Sequence, residues 1–396
     1  MVERLTTLLH EEAAVLDVPV APAAAIIRGG RRQRRRRRLT EAVAGVVALG
    51  VVAAGAGTLL ARAGDTAAQE RFASAHAAAA YADYGAFSTG STVYIGNHQV
   101  TFPEKIKALY YTSLGVLVRM GKVAYTDEPG PSHYTLVRPD GSTRDVDLRM
   151  GDRIAGTDPD SPNVAYAEPA GVTGGLSASQ TRHVTHWSLV VVSLETGTEI
   201  ARTEVTGRFT WGGWEAPPVD LAGDRMWALF DEGWTEYDWR TGATRSIPGT
   251  AGAGIIEAAH GRYALHGEQT DTDWRFFDFA SGNLVATIPA SSGDTGWLSP
   301  DGRFVRFDKA DAVRDGKTGK LISPPSPSHF VSVDTGKTVS LPGRVFWGWT
   351  PDGHALSVDP AKDRITVCDP ATGRCDRITR EIGPGSVKLG GALYES

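Results

Sequence analysis

Ser299–Phe307 reads SPDGRFVRF, and Thr350–Val358 reads TPDGHALSV. In both, a Pro-Asp-Gly turn feeds a short run of strand-forming residues, the grammar of a tight hairpin followed by a buried strand. The arrangement recurs upstream with other turn residues: TSLG (Thr112–Gly115) before VLVRM, DPDSPN (Asp158–Asn163) before VAYAE, LAGD (Leu221–Asp224) before RMWALF, and AHG (Ala259–Gly261) before RYALH.

A second set of turns alternates with the first: PDGS at Pro139–Ser142, ETGT at Glu195–Thr198, RTGA at Arg240–Ala243, ASGN at Ala280–Asn283, KTGK at Lys317–Lys320 and ATGR at Ala371–Arg374. Here Gly supplies the positive φ that a tight hairpin demands. Strict alternation gives six units of two hairpins, four strands each, at the spacing of propeller blades. Residues 84–103 offer three more short strands and the tail Val387–Tyr394 a fourth. Pairing the first strand with the last closes the ring and removes two open edges. The expected fold is therefore all-β, a β-propeller of seven four-stranded blades, with six as the alternative. The hairpin within 324–341 is either the outer pair of a blade or an insertion.

These alternating SPDG/TPDG and TGK/TGR turns resemble those of WD-repeat-like, TolB-like and YVTN-type propellers. With the opening MVERLTTLLHEEA and an Arg-rich block after it, the layout is similar to that of actinobacterial single-pass proteins that hold such a propeller outside the membrane. The resemblance implies fold more than activity. The Gly-His and Trp-Asp dipeptides of true WD repeats do not recur, so their partners do not carry over.

Charge divides the chain. The net −5 is the sum of +5 over residues 1–64 (ten Arg, five acids) and −10 over residues 65–396 (31 basic, 41 acidic). Between them lies an uncharged run of twenty residues, Ala42–Ala61. As a helix it spans about 30 Å, the thickness of a bilayer core. Eight Arg crowd just before the run, from Arg28 to Arg38, and only Arg62 directly follows it; this positive-inside bias puts the N-terminus in the cytoplasm and the remainder outside, at the plasma membrane. A cleaved signal peptide competes with an anchor, but 38 residues before the hydrophobic segment is long for one. The expected segments are 1–38 (amphipathic Met1–Asp17, then the Arg block), 39–62 transmembrane, 63–83 an Ala-rich stalk, and 84–396 the propeller. Arg31, Arg32, Arg34, Arg35, Arg36, Arg37 and Arg38 set topology and touch anionic lipid. No aromatic interleaves them to stack on bases, so nucleic acid is not an expected partner.

Composition adds that 41% hydrophobic and 22% charged residues exclude a wholly disordered chain and a polytopic membrane protein. Cys368 and Cys375 flank DPATGR, which sets them opposite each other on adjacent strands. Outside the cell they are expected to form a disulfide, with a redox switch as the lesser reading. Most of the ten Trp are expected between blades. Trp211 and Trp214 in TWGGWE, and Trp347 and Trp349 in FWGWT, are candidates for a face that grips sugar or peptide. His183 and His186 point to opposite sides of an extended segment, and His260 and His266 have no acidic or cysteine partner at metal spacing, so no metal is expected. Gly336–Thr338 (GKT) lacks the earlier glycine and the following helix of a phosphate loop. G-x-S-x-G and H-E-x-x-H are absent from the sequence. SGDTGW (Ser292–Trp297) matches a sialidase Asp-box only in part. Asp158, Asp160 and Asp301 read as turn formers rather than calcium ligands.

The leading expectation is a non-enzymatic, tethered, extracytoplasmic propeller, without cofactor, that binds protein, peptide or envelope polymer. Alternatives are a lactonase-like hydrolase with its site at the central channel, and a transmembrane sensor whose residues 1–38 contact a cytosolic sigma-factor-type partner.

Overall fold

The computed structural model describes residues 76–124, 132–148, 150, 155–170, 184–210, 216–247, 250, 255–266, 273–289, 295–308, 327–341 and 347–391. The Arg block, the run Ala42–Ala61 and the segment Met1–Asp17 lie outside them. Among the described residues no helix is long and apolar enough to cross a membrane.

Seven antiparallel four-stranded sheets follow one another along the chain. Blade 1 contains β1 (Ala86–Thr89), β2 (Thr92–Ile95) and β3 (His98–Thr101). Blade 2 is β4 (Lys105–Thr112), β5 (Gly115–Gly121), β6 (His133–Val137) and β7 (Thr143–Val146). Blade 3 is β8 (Gly156–Thr157), β9 (Asn163–Pro169), β10 (His186–Ser193) and β11 (Thr198–Thr206). Blade 4 is β12 (Val219–Ala222), β13 (Arg225–Phe230), β14 (Gly233–Asp238) and β15 (Ala243–Ser246). Blade 5 is β16 (Ile255–Ala259), β17 (Arg262–His266), β18 (Trp274–Asp278) and β19 (Leu284–Ile288). Blade 6 is β20 (Thr295–Leu298), β21 (Phe304–Asp308), β22 (Ser328–Ser332) and β23 (Thr338–Leu341). Blade 7 is β24 (Gly348–Trp349), β25 (Ala355–Asp359), β26 (Arg364–Cys368) and β27 (Cys375–Thr379). The last strand, β28 (Val387–Leu389), returns to blade 1 and pairs antiparallel with β1, Phe87 opposite Leu389 and Thr89 opposite Val387. The described residues thus form a seven-bladed propeller closed by the pairing of its first and last strands.

Burial follows position within a blade. β10, HWSLVVVS, is buried from Trp187 to Ser193 because neighbouring blades cover both faces of a middle strand. β11, TEIARTEVT, is the outer strand of its sheet and alternates between exposed and half-buried residues. A continuous apolar run and an alternating one are the two sequence forms of those two environments.

Outer hairpins share one turn chemistry. The Gly242 amide donates to the Asp238 carbonyl (2.8 Å), and the Arg240 and Thr241 amides donate to Asp238 Oδ1. Gly373 and Asp369 repeat the arrangement, with φ of 75° at Gly373 against 76° at Gly242. A side chain with Cβ is strained there, which is why Gly recurs. In blade 6 the outer turn is Asp334–Lys337, so the hairpin within 324–341 is the outer pair rather than an insertion, and Lys317–Lys320 lies outside the described residues.

A helical segment, 76–84, belongs to the propeller body. Ala77, Ala80 and Tyr81 are buried, and Tyr81 Oη lies 3.1 Å from the Thr112 carbonyl and 2.8 Å from that of Gly115. Residues 76–83, expected as stalk, are therefore packed against blade 2.

Candidate functional site

The first strand of each sheet, with β28 in blade 1, lies innermost, where successive first strands meet. Turns between first and second strands consequently crowd around the axis at one end of the ring, and they are knit from blade to blade. Asp158, in the blade 3 turn, accepts the Asp160 amide through Oδ1 (2.8 Å) in an Asx turn, and its Oδ2 accepts the Gly223 amide of the blade 4 turn (2.9 Å). Asp220, on β12 of blade 4, accepts the amides of His260 and Gly261 from the blade 5 turn, at 3.1 and 2.9 Å. Each carboxylate satisfies donors of the next blade that would otherwise be buried unpaired.

The His260 side chain completes this cluster. Its Nδ1 stands 3.3 Å from Asp158 Oδ1, so groups from blades 3, 4 and 5 converge. Burial pulls the imidazole down, but the contact and charge of Asp158, with Asp220 and Asp160 adding, hold it above its ordinary 6.5. Burial pushes Asp158 up, yet His260 and the two amides leave it below 3.8. For Asp220 burial dominates the amide and His260 contributions and pushes the carboxyl up to about 7. Sequence spacing hides this cluster because its members are strand and turn positions in different repeats. The available signal is that AHG departs from the Pro-Asp-Gly form and seats a non-glycine residue at φ 49°.

A third buried carboxylate, Glu236, bonds across one sheet. Its directly opposed neighbours are Trp227 on β13 and Arg245 on β15. Trp227 Nε1 donates to it at 3.0 Å, and Arg225 and Arg245 each donate at 2.7 Å. Arg245 also reaches the Phe279 carbonyl of blade 5 at 3.3 Å.

The structure contains a Cys368–Cys375 disulfide, and the two residues face each other across the outer hairpin of blade 7. The adjacent Asp369 amide donates to the Arg374 carbonyl, so the cysteines occupy the closer, non-hydrogen-bonded pair with Cα atoms 4.0 Å apart. Trp347 and Trp349 are only 3% and 1% exposed. Both rings stand edge-on to Phe330 of blade 6, with centroids at 5.9 and 5.5 Å, and Cys368 packs in the same cluster. The expectation that they line a ligand face is corrected, because β24 is an inner strand covered by its neighbours. Trp211 and Trp214 lie outside the described residues, as does His183. Elsewhere aromatics fill the seams: Trp187 against Phe230, Trp227 stacked on Phe279, and Trp274 edge-on to Phe307 join blades 3 to 6 in succession. Asp301 serves its own turn, accepting from Ser299 Oγ and Arg303.

No family model matches this chain, and no curated protein matches it. Among solved structures it is similar to Kuenenia stuttgartiensis hydrazine synthase (14% identity, 70% of this chain and 80% of that one, TM-score 0.41). It is similar to TolB from Acinetobacter baumannii (14%, 66% and 65%, 0.38) and to the Cps50 (Swd1) β-propeller domain of Myceliophteria thermophila (8%, 72% and 88%, 0.40). These are likenesses at the level of fold, and the propeller assignment itself rests on seven closed sheets.

Proposed function

We propose that this protein is a single-pass, extracytoplasmic propeller that presents an interaction surface for a protein, peptide or envelope polymer. One observation carries the interaction reading: the two ends of the ring are unequal. At the end holding the inner and outer hairpin turns, connections are short and their polar groups are spent on blade-to-blade bonds. At the opposite end stand the strand ends Gly121 and His133, Pro169 and His186, Thr206 and Val219, and Asp308 and Ser328, which the longer stretches 122–132, 170–185, 207–218 and 309–327 of the sequence join. Variable connections on a rigid scaffold are where propellers place recognition, and Trp211 and Trp214 fall within 207–218.

Support for the location is of two kinds. The Arg block with the run Ala42–Ala61 favours a tether with residues 1–38 in the cytoplasm, the layout of actinobacterial single-pass proteins. A disulfide in the propeller favours an oxidising exterior. The test is photo-crosslinking in intact cells, with the crosslinker placed at Lys122 or Thr210 at one end and at Thr241 at the other. The reading expects adducts from the first two positions on a full-size, membrane-bound chain. Adducts from Thr241 alone, or a shortened soluble chain, would contradict it.

A further inference from the structure

The converging turns of blades 3, 4 and 5 hold an arrangement that the interaction reading does not use. We propose that Asp158, His260 and Asp220 form a proton-operated latch, in which protonated His260 clamps the blade 5 turn onto blades 3 and 4 and its deprotonation loosens that seam.

The geometry is specific to charge. Both oxygens of Asp220 accept backbone amides, as an ionised carboxylate does, and Asp158 likewise accepts the amides of Asp160 and Gly223. Asp158 keeps its charge in this buried place beside protonated His260, whose Nδ1 lies 3.3 Å away, while Asp220, pushed up to about 7, takes up a second negative charge as pH rises. The other charged groups around it are committed elsewhere. Asp224 pairs with Arg240, and Arg262 turns away to the Gly302 carbonyl (3.0 Å) and Asp334 (2.8 Å). Asp160 adds a third negative charge nearby. Loss of the His260 proton therefore leaves carboxylates without their counter-ion, while the turn itself sits at a backbone conformation, φ 49°, that a non-glycine residue tolerates only when its contacts hold it. The neighbouring acids outweigh burial and set the switching range above the ordinary 6.5 of histidine. The latch depends on the closed ring and not on the tether.

Hydrogen exchange on the full-length chain in detergent tests it, with rates corrected for the intrinsic pH dependence and referred to β5 of blade 2. Protection over 219–224 and 258–263 is expected to fall as pH rises from 6 to 9. The fall should be about tenfold for each pKa unit by which the closed seam raises His260. His260→Asn, which keeps a residue tolerant of positive φ, should show low protection there at every pH, and Asp158→Asn should show a reduced slope. Equal slopes in wild type and His260→Asn, or a change spread evenly over all seven blades, would overturn the latch.

Discussion

Tyr111 Oη donates a 2.6 Å hydrogen bond to the carbonyl of Trp349, a residue 238 positions further along the chain. The same oxygen accepts the Ala86 amide at 3.0 Å. One phenol on the last residues of β4 therefore ties blade 2 to blades 1 and 7, where the ring is closed by β28. Gly85, Gly390 and Gly391 pass so close to that ring that a Cβ on any of them would crowd it.

Tyr111→Phe keeps the ring packing and removes the oxygen, leaving a buried amide and a buried carbonyl without this partner. Each unsatisfied group costs about 1–3 kcal/mol. Thermal unfolding should show a lowered midpoint with the native fold retained. An unchanged midpoint would mean that the closure does not depend on this contact.

Blade 7 carries the disulfide across a short loop. Cys368→Ala combined with Cys375→Ala should lower stability by about 2 kcal/mol, by the loop-entropy relation. Before that, thiol counting on unfolded, unreduced protein isolated from its native compartment should find none free. Two free thiols would contradict the oxidised hairpin.

Glu236 holds its place through Trp227 and two arginines that themselves reach water. Glu236→Gln should cost about 2 kcal/mol, since hydrogen bonds to a charged group are worth roughly 1.5–3 kcal/mol each. A change in Trp227 fluorescence should accompany it. Loss of stability without any change in fluorescence would assign the effect elsewhere.

Stability should peak at mildly acidic pH. Asp158 is held below 3.8, so its contribution is present above that value and is lost as pH falls through its folded pKa. His260 is raised, so its contribution is full below 6.5 and is lost as pH rises through its folded pKa. Asp220, raised to about 7, adds a cost that is absent below 3.8 and complete above about 7. A series of unfolding midpoints from pH 3 to 9 should therefore form a dome with its summit between about 4 and 6.5. A summit above 8 would be inconsistent with the His260 and Asp220 assignments, and stability undiminished down to pH 3 with that of Asp158.

How far the sequence led depends on whether a feature was local. The turns SPDG and ATGR are legible because a hairpin is decided by the few residues within it, and the opposed cysteines follow from the same register. Blade 6 was harder, because DTGK at Asp334–Lys337 and KTGK at Lys317–Lys320 offer equivalent turns and only strand pairing separates them. FWGWT reads equally well as a surface loop or as an inner strand; the difference lies in Phe330, on the preceding blade. The Asp158–His260–Asp220 cluster was not legible, since each residue alone is an ordinary turn or strand residue, and their meeting is a property of the ring.

The tethered, outward-facing propeller is tested most directly by labelling intact cells with a membrane-impermeant maleimide. Thr241→Cys places a thiol on an exposed outer turn, and Gln33→Cys places one within the Arg block. The account predicts that Thr241→Cys is labelled in intact cells on a full-size, membrane-bound chain, while Gln33→Cys is labelled only after lysis. Labelling of Thr241→Cys only after lysis, or its recovery on a soluble chain, would contradict it.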